Sequence, residues 1–70
     1  MDTAKLARMG NQIAAFFRSY PEEQAVASIR DHVRQFWTPK MRETARAACE
    51  RGEGGFDPLV VRALVERERV

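Results

Sequence analysis

His32 is the only histidine and Cys49 the only cysteine in the 70 residues, so the side chains best suited to nucleophilic or metal chemistry occur once each. A zinc site would need two carboxylates to complete that pair, an unusual ligand set for a structural site. A Cys–His catalytic pair would have to form between separate segments, and no third polar residue stands at a spacing that would orient the imidazole. A catalytic role would further require a reactive, low-pKa thiol. Cys49 therefore reads as a small buried thiol, and His32 as a polar or partner-facing residue beside Val33. The carboxylates look no more catalytic, because most lie within a helical turn of an opposite charge: Asp31 with Arg34, Glu43 with Arg46, Arg46 with Glu50, Arg62 with Glu66. Pairs of that spacing mark solvated helix faces. The stretch Gly52-Glu53-Gly54-Gly55-Phe56-Asp57-Pro58 has the glycines of a phosphate-cradling loop, but it carries acids where a Lys or a hydroxyl would be needed. Negative charge there repels phosphate.

Binding is written more clearly than catalysis. Phe16-Phe17 and Phe36-Trp37 each end a helical pattern, and adjacent residues on a helix point about 100° apart. In so short a chain both members of each pair are hard to bury, so one of each is expected to meet a partner, where Trp, Phe and Arg are common anchors. Gly10 lies in mid-helix, where it costs about 1 kcal/mol relative to alanine. Either something approaches the backbone closely there or the helix bends. A competing reading joins the second and third helices at Thr38-Pro39 into a helix-turn-helix that presents Lys40, Arg42 and Arg46 to DNA. Against it, that helix lacks the Asn, Gln and Ser side chains that base readout usually combines with Arg.

The elements that must position these residues are helices. All three prolines stand where a helix could begin, each a candidate first helical residue. Asp2 or Thr3, Thr38 and Asp57 supply N-caps, and Gly52 a left-handed C-terminal stop. Leu6, Met9, Ile13, Phe16 and Phe17 recur at helical spacing, and Val26, Ile29, Val33, Phe36 and Trp37 form one stripe. Met41, Ala45, Ala48 and Cys49 make a shallow small-residue face, and Leu59, Val60, Ala63 and Leu64 face inward on a last helix. The expectation is an all-α fold: one small domain over 1–70, a bundle of three to four short helices at about 3–18, 21–37, 39–51 and 58–67. Gly52 to Gly55 is the one flexible stretch, and Glu66 to Val70 are expected to fray. No segment alternates with the period of a strand.

Composition sets the scale. Twenty large apolar residues, beside ten alanines, make a thin core for one domain. A partner covering one face would help to stabilise it. Twelve basic residues, ten of them Arg, against ten acidic leave a formal charge of +2, and the signs interleave along the chain. A nucleic-acid binder more often concentrates its excess on one run or face, so nucleic acid is not the expected partner. With no apolar stretch of signal-peptide or membrane length and one unpaired thiol, a cytoplasmic location is expected.

Three segments carry a resemblance: Lys5-Leu6-Ala7-Arg8-Met9-Gly10-Asn11-Gln12-Ile13-Ala14-Ala15-Phe16-Phe17, Asp31-His32-Val33-Arg34-Gln35-Phe36-Trp37-Thr38-Pro39-Lys40-Met41-Arg42, and Asp57-Pro58-Leu59-Val60-Val61-Arg62-Ala63-Leu64. In order and spacing they resemble the delta subunit of NAD-dependent, molybdenum-containing formate dehydrogenase, and the likeness covers nearly the whole chain. The resemblance implies a non-catalytic accessory subunit of a complex that oxidises formate and passes the electrons to NAD. In such complexes the large catalytic subunit holds molybdenum as bis-molybdopterin guanine dinucleotide together with iron–sulfur clusters, and a subunit bearing FMN and clusters reduces NAD. This chain is expected to bind none of these groups: a cluster needs several cysteines, and no dinucleotide fingerprint is present. Its expected partner is the large molybdenum subunit, with Phe16, Phe17, Phe36, Trp37 and Met41 as anchors and Arg34 or Arg42 pairing with partner acids. A transient assembly factor for molybdenum-cofactor insertion is the alternative within the same family.

Overall fold

Asp2, Thr38 and Asp57 each open a helix by satisfying an otherwise orphaned backbone amide. Asp2 Oδ1 accepts from Ala4 N, Thr38 Oγ1 from Met41 N, and Asp57 Oδ1 from Leu59 N. The computed structural model describes residues 2–66. Its four helices are α1 (Thr3–Phe17), α2 (Glu22–Phe36), α3 (Pro39–Glu50) and α4 (Pro58–Val65). Pro39 and Pro58 stand in the first helical turn as expected. Pro21 does not: with ψ at 143° it is the residue before the helix, and its carbonyl accepts from Ala25 N. Arg18 and Arg51, expected inside α1 and α3, are the residues that end them. α4 stops at Val65 because Glu66 turns extended, and position 67, expected to be helical, lies outside the described residues.

Gly52 ends α3 in the left-handed conformation expected of it, at φ 73°. Gly52 N donates to Cys49 O and Glu53 N to Ala48 O, the paired bonds of a Schellman stop. The glycine stretch that follows, expected to be flexible, is clasped from the far side by Asn11. That side chain donates through Nδ2 to Gly55 O at 3.0 Å and accepts from Asp57 N at 2.7 Å. Arg18 Nη2 meets Asp57 Oδ2 at 2.6 Å, so Asp57 both caps α4 and ties it to the end of α1.

Every helix feeds one core, whose fully buried members include Leu6 of α1, Ile29 and Val33 of α2, Ala45 of α3 and Val60 of α4. α4 packs against all three other helices. Gly10 marks where α1 crosses it: a Cβ there would lie 3.1 Å from Val60 Cγ1 and 3.7 Å from Trp37 Cη2. Close approach, and not a bend, accounts for this glycine. Charge pins α4 to the start of α2. Arg62 of α4 reaches Glu22 at 2.7 Å, Glu23 at 2.9 Å and Glu66 at 2.8 Å. The three carboxylates raise the Arg62 pKa, and Arg62 in turn lowers that of Glu66. Arg30 of α2 donates to the carbonyls of Ala63 and Glu66, placing a cation at the negative end of α4.

Candidate partner interface

Each aromatic pair divides, one ring out and one ring turned toward the core. Phe16 is 73% exposed and Phe36 68%, while Phe17 is half-buried against the core and Trp37 is 5% exposed within it. Trp37 was expected as an anchor, and the structure places it in the core instead. At φ −95° and ψ 144° it has already left the helix. The 100° rule therefore does not govern its side chain, and the indole turns inward to the space that Gly10 leaves open.

Phe16 and Phe36 flank an apolar groove of about 610 Å³ between α1 and α2. Phe17 and Trp37 also line it, together with Met9, Ile13, Gln12 and His32. His32 lies 4.7 Å from the Phe36 ring, centroid to centroid, and Phe17 meets Phe16 and Tyr20 edge-on at 5.1 and 5.5 Å. His32 was read from the sequence as polar or partner-facing, whereas Met9 and Ile13 were not singled out as contact residues. Their signal was present in the spacing, since Met9, Ile13 and Phe16 lie four and three residues apart and His32 and Phe36 four apart.

The other expected contact residues lie elsewhere. Arg34 and Arg42 line a second depression, of about 370 Å³, between α2, α3 and the end of α4. Met41 lines neither depression and packs, half-buried, against the core. The basic residues of α3 do not form one face: Arg42 and Arg46 border the second depression, whereas Lys40 lies beside Thr44 and Arg51 on another side. That division removes the continuous basic face a recognition helix would present to a groove.

Cys49 is buried, and its pKa is raised first by that burial and then by the neighbouring Glu50. A thiol held protonated is a poor nucleophile. Among the described residues no three His, Cys, Asp or Glu side chains are grouped to hold a metal ion. With one cysteine, the residues present do not fit an iron–sulfur cluster. No helix of the described residues is long and apolar enough to cross a membrane.

The fold thus defines a small all-helical protein with an open aromatic groove on one side and an arginine-lined cleft on another. Residues 5–64 match the family model described as NADH-dependant formate dehydrogenase delta subunit FdsD, and the chain belongs to that family. No curated protein and no solved structure gives a significant match.

Proposed function

We propose that this chain is an accessory subunit of a cytoplasmic NAD-dependent formate dehydrogenase, binding the large molybdenum-containing subunit through the groove between α1 and α2. The observation that carries this reading is the pair of large rings, Phe16 and Phe36, held exposed across one apolar groove. Holding them in water forgoes roughly 1.5–3 kcal/mol per ring that burial against a partner would return. Family membership supports a partner among the other subunits of a formate dehydrogenase complex. Molybdenum, cluster, flavin and NAD chemistry belong on this reading to the other chains, and no step of it is assigned to a side chain here. A binder selective for the cofactor-loaded large subunit stabilises that state by linkage without altering turnover.

The test is affinity capture of this chain with its complex, comparing wild type with Phe16→Ala/Phe36→Ala, followed by mass spectrometry and molybdenum analysis. Recovery of a molybdenum-loaded large subunit in equal proportion, lost in the double variant, supports the reading. Recovery only with cofactor-free large subunit would make the chain a transient assembly factor. Equal recovery by both proteins would move the interface away from the groove.

A further inference from the structure

α2 has two working flanks. His32 and Phe36, four residues apart, line the aromatic groove, and Arg30 and Arg34, also four apart, line the second depression. At 100° per residue the two pairs lie roughly 160° apart around the helix axis. α2 is therefore the wall between two sites that open in nearly opposite directions, and one flat partner surface does not cover both.

Arg42 and Arg46 of α3 complete the second depression, a cleft rimmed by four guanidinium groups over a floor that includes Val33, Pro39 and Leu64. Two of the four are already committed: Arg30 donates to the Ala63 and Glu66 carbonyls, and Arg34 has an interaction of its own. Among the described residues neither Arg42 nor Arg46 has an ion-pair partner, and Arg42 Nε is buried with no hydrogen-bond acceptor. Like charges one helical turn apart repel, and a buried unsatisfied donor is costly. Of the two acids on the rim, Glu66 is neutralised by Arg62, leaving Glu43 against the arginines.

We infer that this cleft is a second docking site, which takes an acidic segment of a partner polypeptide. Its carboxylates sit at Arg42 and Arg46, and an aliphatic side chain lies against Val33 and Leu64. Guanidinium forks match carboxylates in paired hydrogen bonds. The apolar floor selects a polypeptide over a small inorganic anion, which would fill little of a cleft this size. With the groove on the opposite flank, the chain bridges two separate partner surfaces. The inference rests on the docking role proposed above, but it is tested on the full chain alone and so fails separately from it.

The experiment is an NMR titration of the isotope-labelled full chain, following the arginine Nε–H signals. The probes are a short synthetic Asp/Leu-alternating peptide, its Asn/Leu counterpart and inorganic phosphate. Expected are shifts of Arg42 and Arg46 with the acidic peptide only, weakening as salt rises. Affinity should fall about tenfold or more in Arg42→Gln/Arg46→Gln and stay unchanged in Phe16→Ala/Phe36→Ala. Circular dichroism of each variant confirms the fold, and Arg46→Gln alone, at an exposed position, serves if the double variant unfolds. Shifts mapping elsewhere, equal response to the Asn peptide, or loss of binding in the phenylalanine variant would overturn the inference. Phosphate binding as tight as the peptide's would replace it with a small-anion site.

Discussion

Asn11 and Asp57, forty-six positions apart, are joined by a 2.7 Å hydrogen bond from the Asp57 amide to the Asn11 side-chain oxygen. The other end of the same side chain holds Gly55 O. Asn11→Ala removes both bonds and leaves the partly buried Asp57 amide unpaired. It is expected to cost about 1–3 kcal/mol by denaturant unfolding. Arg18→Ala, which breaks an exposed ion pair to the same Asp57, is expected to cost less than about 1 kcal/mol. The reverse order would mean that charge, and not the amide clasp, holds the loop.

Substitutions at Gly10 should grade with size. Alanine gains about 1 kcal/mol of helix propensity and meets Val60 at 3.1 Å, so its net effect is expected to stay within about 1 kcal/mol of zero. Leucine has no room against Val60 and Trp37 and is expected to destabilise by about 1–3 kcal/mol or more. Thermal unfolding of the two variants checks this, and a harmless leucine would mean that α1 and α4 separate easily.

Phe36→Ala and Trp37→Ala are neighbours in sequence with opposite expected consequences. Phe36→Ala alters unfolding by about 0.5 kcal/mol or less while weakening capture of the large subunit. Trp37→Ala removes a buried ring, at about 3–5 kcal/mol, enough to unfold a chain this small. Loss of partner binding by Trp37→Ala therefore carries no information about the interface unless its fold is first verified.

The helices were legible in the sequence because their punctuation is local: Asp2, Thr38 and Asp57 cap from two or three residues away, and Gly52 closes α3 within one turn. Which ring of the Phe36-Trp37 pair turns inward was not legible, since both share the apolar stripe of α2 and only the packing puts Trp37 in the core. The division of the expected contact residues between a groove and a cleft was not legible. Phe16 and Phe36 face each other only through the packing of α1 on α2, and Arg34 meets Arg42 only across α2 and α3. The Asn11 clasp was equally invisible, since no local pattern marks an asparagine whose partners lie some forty-five positions downstream.

Cys49 should resist alkylation until unusually high pH. Burial and Glu50 raise its folded pKa, so the protonated thiol favours the folded state. That contribution is fully present below the unfolded thiol value and is lost as pH rises through the raised one. Iodoacetamide labelling against pH, in native and denaturing buffer, is expected to give the higher midpoint for the native chain. A lower native midpoint would restore a reactive thiol.

Acid acts in the opposite sense on the Arg62 cluster. Arg62 lowers the Glu66 pKa, so that carboxylate stabilises the fold above its unfolded value, and the contribution is lost as pH falls through the lowered one. Arg62→Gln is expected to lower the melting temperature at neutral pH and to flatten its decline on acidification. Unchanged acid sensitivity would place the protonating group elsewhere.

α4 is eight residues long, too short to hold its helical form without neighbours, yet it packs against all three other helices. It contributes Val60, beside Gly10, and Ala63, near Arg30, to the core that the other three helices share. Folding of so small a shared core is expected to be all-or-none. A single cleavage anywhere between Gly52 and Gly55, although it severs no helix, would convert an intramolecular keystone into a weakly bound peptide and dissolve the whole structure.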